Sequence, residues 1–262
     1  MIFYDREDEL SVLHRIWESV KSGKFNLVII SGRRGVGKTR LVKEFAKRYS
    51  VRLAYVFVKK KQLELQIDRI VKKVENAVGL KLPRVKTIED LFISLGQIAS
   101  EVPICIVFDE FQNFSAYNHE IFTDFQNAFD ELKMYEKQVK ILVIIIGSIV
   151  GMLREIFEKQ ESPLYGRKTA EIFLKPFKYW QIRKMLLDLG VRDEKECFMI
   201  YSILGGMPRY YDTIDRLGFK FAIDNVLEYI TSPAISAWKT VYGELIEEFK
   251  GAYMTYFQIL EA

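Results

Sequence analysis

Two groups of residues in this chain have types and spacings suited to chemistry on phosphate. The first is Gly32-Arg33-Arg34-Gly35-Val36-Gly37-Lys38-Thr39, which fits the pattern G-x-x-x-x-G-K-[ST]. Its glycines let the backbone curl until successive N–H groups point at one anion. Lys38 supplies a positive charge for the β- and γ-phosphates, and the Thr39 hydroxyl is placed to hold Mg²⁺. A helix beginning here adds its dipole and free N–H groups to the same site. A plain glycine turn between strand and helix would need none of this. The flanks favour the phosphate reading: Leu27 to Ile30 is an apolar run before the loop, and Leu41, Phe45 and Tyr49 form a helical stripe after it.

The second group is Asp109-Glu110, directly after the apolar run Ile104-Cys105-Ile106-Val107-Phe108. A carboxylate at a strand end beside a phosphate loop can hold Mg²⁺ through water, the arrangement called Walker B. A second carboxylate next to it can polarise an attacking water, which the metal-engaged Asp109 cannot do. An acidic pair after a buried strand is also common as a solvent-facing loop. Its place about seventy residues after the phosphate loop gives it weight.

Three further candidates are weaker. Ser148, after the run Ile141–Ile146, can hydrogen-bond a γ-phosphate or the lytic water, and can equally cap the next helix. Arg167 in Pro163-Leu164-Tyr165-Gly166-Arg167 can stabilise charge on a transferring phosphate, in its own subunit or a neighbour's, though lone loop arginines are usually solvated. Gly205-Gly206-Met207-Pro208-Arg209 reads as a helix stop followed by a proline at the first position of the next helix.

These residues need a scaffold. The apolar pattern predicts strands over 25–31, 51–58, 104–108, 140–147 and 171–174, with helices over 7–21, to about 49, 62–78, 87–100, 120–137 and 151–159. Apolar strands without alternation, separated by helices, indicate a parallel sheet covered on both faces. From about Lys178 the strand signal ends. Helices are expected over 178–189, 193–204, 209–216, 219–230 and 234–249. Residues 1–177 therefore form an α/β core and 178–250 a helical second domain, with no internal repeat between them.

Composition excludes several classes. The chain has 262 residues, enough for one large domain and a smaller one, and 49% hydrophobic with 28% charged residues is the balance of a soluble globular protein. Its apolar runs are too short to span a bilayer. The opening MIFYDREDEL carries acid at once and lacks a signal-peptide core, so a cytoplasmic protein is expected. Cys105 and Cys197 lack metal-ligand spacing, and Cys105 reads as a core residue. A net charge of +4 is only mildly basic, and Lys59-Lys60-Lys61 fits a solvated strand end better than a nucleic-acid patch.

Taken in order, these pieces resemble the archaeal ATPase family, in the AAA+/STAND branch of the P-loop NTPases. The resemblance rests on Phe3-Tyr4-Asp5-Arg6-Glu7-Asp8-Glu9-Leu10, the phosphate loop GRRGVGKT, VFDEFQN (Val107–Asn113) and IIIGS (Ile144–Ser148). PLYGR, FLKPF (Phe173–Phe177) and GGMPRYY (Gly205–Tyr211) complete it. It implies a five-stranded parallel sheet ordered 5-1-4-3-2 and a helical lid. It also implies Glu110 as the water-activating residue, Ser148 as sensor and Arg167 as the γ-phosphate-sensing arginine. Nucleotide contacts would come from Gly32 to Thr39 with Arg40, from Tyr4 and Arg6 near base and ribose, and from Pro208 packing the lid on adenine.

The resulting expectation is a Mg²⁺-dependent ATPase in which Thr39 and Asp109 organise the metal and Lys38 neutralises the phosphates. The alternative is a slow switch or scaffold that retains ADP or ATP. The guanine-specific N-K-x-D pattern is absent, which favours ATP. Besides ATP, the partners on this reading are a second copy of the chain in a homo-oligomer, a protein client and, by fold analogy alone, DNA. In the family a winged helix usually follows the lid. Residues 251–262 resemble its opening, so a truncated or partner-completed chain is expected, without DNA binding through that element.

Overall fold

The computed structural model describes residues 3–60, 62–99, 101–117, 120–134 and 139–232. They fall into two compact units. One comprises Arg6–Arg33 and Gly37–Leu174. The described residues of the other are 3–5, Arg34–Val36 and 175–232.

In the larger unit, α1 (Glu7–Lys21) leads to β1 (Asn26–Ser31), α2 (Lys38–Arg48), β2 (Leu53–Phe57), α3 (Leu63–Val78) and α4 (Ile88–Ile98). Then come β3 (Ile104–Asp109), a 3-10 turn (Phe111–Ala116), α5 (Glu120–Met134), β4 (Ile141–Ile146), α6 (Val150–Phe157) and β5 (Ala170–Phe173). The strands form one parallel sheet in the order β2-β3-β4-β1-β5. This is the expected 5-1-4-3-2 order read from its other edge.

Every residue of β1, β3 and β4 is buried, as strands covered on both faces must be. The expectation of unbroken apolar strands holds for these three. β2 and β5 are the sheet edges, and there buried positions alternate with partly exposed ones. That alternation leaves the face of β2 carrying Leu53, Tyr55 and Phe57 open to polar contacts.

Behind β3 the core is unusually aromatic. The ring centroid of Phe125 lies 5.5 Å from Phe108, 5.1 Å from Phe111 and 5.2 Å from Phe114. Burial of each ring stabilises by about 1.5–3 kcal/mol. Phe111 and Phe114 thereby anchor the turn that follows Asp109 and Glu110.

The smaller unit contains α7 (Tyr179–Asp188), α8 (Glu194–Leu204), α9 (Pro208–Arg216) and α10 (Ile223–Thr231). The last begins four residues later than the pattern suggests. Its core gathers Phe177, Ile182, Leu186, Ile200, Tyr211 and Val226. Gly206 is required by close packing: a Cβ there would lie 1.9 Å from the Phe177 carbonyl oxygen, while Phe177 N–H donates to Gly206 O at 2.7 Å. The helix expected over 234–249 and the winged-helix opening over 251–262 lie outside the described residues. No helix among the described residues is long and apolar enough to cross a membrane.

Candidate functional site

Parallel pairing brings three strand ends to one edge of the sheet. Ile30 of β1 pairs with Ile146 of β4, and Ile146 pairs with Asp109 of β3. The residues that leave these strands therefore emerge side by side: the phosphate loop after β1, Glu110 after β3, and Gly147-Ser148 after β4. Ligands of open α/β sheets bind at this carboxyl edge.

The phosphate loop turns at Gly32, where φ is +140° and a Cβ would sit 2.5 Å from the Leu174 carbonyl oxygen. Only glycine fits there. Lys38 opens α2 and is buried, its Nζ donating to the carbonyls of Gly32 at 2.6 Å and Arg33 at 3.1 Å. The ammonium group thus crosses the loop it serves. Val36 is buried, Arg33 and Arg34 are exposed, and Thr39 and Arg40 are half-buried.

Asp109 is buried and both its oxygens are engaged. Oδ1 accepts from Glu110 N–H at 2.9 Å, and Oδ2 accepts from the Thr39 hydroxyl at 2.9 Å and from the Tyr55 hydroxyl. Burial first, and then the Asp109 carboxylate it faces, push the Tyr55 phenol well above its ordinary value. Tyr55 is therefore a proton donor throughout the neutral range.

Glu110 sits at φ +57°, a left-handed conformation that costs a non-glycine residue roughly 1–2 kcal/mol. The turn that follows it is held by the buried Phe111 and Phe114. In return the Glu110 carboxylate is aimed at the end of β4, where the Ser148 hydroxyl donates to both oxygens at 2.9 Å. Gln112 Nε2 also donates to Glu110 Oε2, and Gln112 is buried. Gly147 leaves room for this, since a Cβ there would come within 2.8 Å of Gln112 Oε1. Of the two readings of Ser148, helix capping is not realised: Ile149 is the N-cap of α6 and the Ser148 side chain turns to Glu110 instead.

Thr39 and Asp109 are hard oxygen donors in direct contact, which suits Mg²⁺. Among the described residues no group of three or more His, Cys, Asp or Glu side chains could cage an ion. The pair therefore fits a cation that arrives with its own waters and phosphate oxygens, as Mg²⁺ does.

Arg167 makes a bidentate pair with Asp130 of α5, Nε to Oδ1 at 3.0 Å and Nη2 to Oδ2 at 2.7 Å. It stands two residues before Thr169, whose N–H donates to Leu27 O at the start of β1. Gly32 lies at the far end of that strand, roughly 16 Å away at about 3.3 Å per residue. The length of β1 thus lies between the Arg167 loop and the turn at Gly32. Tyr4 is buried in the core of the helical unit. Arg6 is buried at φ 78° and pairs with Glu9 at 3.1 Å. Pro208 opens α9 in its first turn and is half-buried. Tyr55, Gln112 and Asp130 were not legible as site residues; Gln112 at least sits two residues past Glu110 in a stretch otherwise filled by Phe111 and Phe114.

A family model for ATPase domains predominantly from Archaea matches residues 3–214. An uncharacterized protein of Methanocaldococcus jannaschii is 28% identical over 231 residues, covering 88% of this chain and 48% of that protein. The chain thus spans about half the length of this relative. Among solved structures, the Walker-type ATPase of Pyrococcus abyssi is similar with a TM-score of 0.61 at 22% identity, over 99% of this chain and 76% of that one. The ORC2 protein of Aeropyrum pernix, solved as ADPNP and ADP complexes, is similar with a TM-score of 0.63 at 18% identity, over 88% and 68% of the two chains. At these identities the structural likeness shows the fold, that of a P-loop NTPase.

Proposed function

This chain belongs to the family of ATPase domains found predominantly in Archaea, and from that premise we propose that it binds ATP with Mg²⁺ and hydrolyses it at the carboxyl edge of its sheet. The observation that carries this reading is the Glu110 carboxylate, aimed by its left-handed backbone and by Ser148 at the end of the strand beside β1. A carboxylate so placed can take a hydrogen bond from a water and hold it in line with the terminal phosphate.

Lys38 and the loop N–H groups bind and neutralise the phosphates. Thr39, and Asp109 through water, would hold Mg²⁺, which would supply charge neutralisation for the phosphates. Arg167, held by Asp130 toward the start of β1, is proposed to act on the nucleotide of a neighbouring copy. The STAND-type coupling expected from sequence, in which nucleotide state moves the helical unit, belongs to the same proposal.

One observation favours a slower variant. Both Glu110 oxygens already accept hydrogen bonds from protein donors, so water must compete for them. On this second reading the chain is a switch that retains ADP or ATP and turns over only when Glu110 is released. A protein client and DNA remain proposals of the same kind.

The test is steady-state ATP hydrolysis over a hundredfold range of protein concentration, with and without Mg²⁺, alongside nucleotide retained on the purified chain. Mg²⁺-dependent turnover supports the enzyme. Retained nucleotide with near-zero turnover supports the switch. Neither binding nor hydrolysis would end both readings.

A further inference from the structure

Tyr55 lies on the partly exposed face of β2, two residues before Phe57, which pairs with Asp109. Tyr55 itself pairs with Val107, so its side chain and that of Asp109 share a face and the phenol reaches along it by one pair. Its hydroxyl oxygen lies 3.4 Å from Thr39 Oγ1 and donates to Asp109 Oδ2, the oxygen that Thr39 also contacts. The Lys43 ammonium stands over the ring, 5.6 Å from its centroid.

A carboxylate oxygen has about two lone-pair directions. On Asp109 Oδ2 both are taken, one by Thr39 and one by Tyr55. A hydrated cation held by the Thr39 hydroxyl would need an acceptor position on Asp109 for one of its waters, and beside Thr39 the phenol occupies the Oδ2 position. Thr39, as the ligand, would stay, and Tyr55 is the donor that would give way.

Resting on the Mg²⁺-nucleotide reading above, we propose that Tyr55 is a positioning residue that closes the metal site: its hydroxyl substitutes for a metal-bound water on Asp109 and competes with the hydrated cation for that oxygen. The metal-free site is thereby kept ordered, with no bare carboxylate facing Thr39. The site opens to Mg²⁺ only when the phenol gives up Asp109. Because Tyr55 touches neither the water-activating carboxylate nor the phosphate loop glycines, this effect belongs to cation binding and not to phosphate binding.

The test uses a fluorescent N-methylanthraniloyl-ADP, titrated onto the wild-type chain and onto Tyr55→Phe at increasing Mg²⁺. The phenylalanine keeps the ring and removes only the hydroxyl. The Mg²⁺ concentration giving half of the metal-dependent gain in ADP affinity should fall about 10- to 100-fold in the variant, the range set by losing one competing hydrogen bond to a charged group. Metal-free ADP affinity should stay unchanged. An equal or higher half-point in Tyr55→Phe overturns the proposal while leaving the Mg²⁺ reading intact. If ADP affinity of the wild-type chain does not respond to Mg²⁺ at all, the metal reading fails and this one fails with it. Thermal unfolding without Mg²⁺ supplies a second readout: the variant should melt lower than wild type in EDTA, with the gap narrowing in Mg²⁺ and ADP. A gap that is the same in both conditions marks Tyr55 as merely structural and also overturns the proposal.

Discussion

The Ser148 hydroxyl lies 2.9 Å from each carboxylate oxygen of Glu110, bridging the ends of two neighbouring strands. The contact exists because Asp109 and Ile146 are paired, which sets the residues after them at the same height. Glu110→Gln keeps the size of the side chain and its hydrogen-bonding reach but removes the basic oxygen. Turnover should fall by about 100-fold or more, with ATP binding retained. Single-turnover hydrolysis and equilibrium nucleotide binding on the same preparation check both halves.

Ser148→Ala distinguishes support from restraint. If Ser148 orients Glu110, kcat should fall about tenfold with KM little changed, as expected when an aligned group loses its partner. A rise in kcat would mean that the serine holds Glu110 away from water, and would favour the switch.

The Arg167–Asp130 pair gives a different signature. Each partner is partly exposed, so Arg167→Ala and Asp130→Ala should each cost about 1 kcal/mol or less in denaturant melts. If Arg167 acts on the nucleotide of a neighbouring copy, only Arg167→Ala should also abolish a rise of specific activity with protein concentration. Activity that is flat with concentration in the wild type would remove Arg167 from catalysis altogether.

Gly32→Ala should destabilise the chain by about 2 kcal/mol or more and weaken ATP binding together. The added methyl meets the Leu174 carbonyl oxygen at 2.5 Å in a backbone conformation that side chains rarely adopt. Chemical denaturation and nucleotide titration give the two numbers.

Asp124 on α5 supplies a pH test of the packing. Burial, and then Glu89, Glu120 and Asp90, raise its carboxyl above the ordinary value of 3.8. An acid whose native pKa is raised costs stability once pH climbs above the unfolded value, because the native state must release a proton it prefers to keep. Asp124→Asn should therefore stabilise the chain at pH 7. The gain should shrink toward zero near pH 3, where Asp124 is protonated folded or unfolded. Denaturation midpoints at the two pH values measure the difference.

Most of the scaffold could be read without coordinates. Gly32, Lys38 and Thr39 form a local pattern whose chemistry follows from spacing, and Ile104–Phe108 with Ile141–Ile146 are apolar on every residue because both their faces are covered. Local pattern also placed Asp109 and Glu110 at a strand end. What it could not carry was partnership between residues distant in the chain. Tyr55 is 54 residues from Asp109, and Ser148 is 38 residues from Glu110. Which side chains meet there depends on strand order and register, set by the packing of the whole sheet. The same holds for Arg167. As a loop arginine it was a candidate for either subunit's nucleotide, and only its pairing with Asp130 at the start of β1 put the length of a strand between it and the phosphate loop. Periodicity and loop chemistry act over a few residues and are written in the chain. The meeting of polar groups across a parallel sheet is a long-range outcome of folding, and there the decisive partners of this site were chosen.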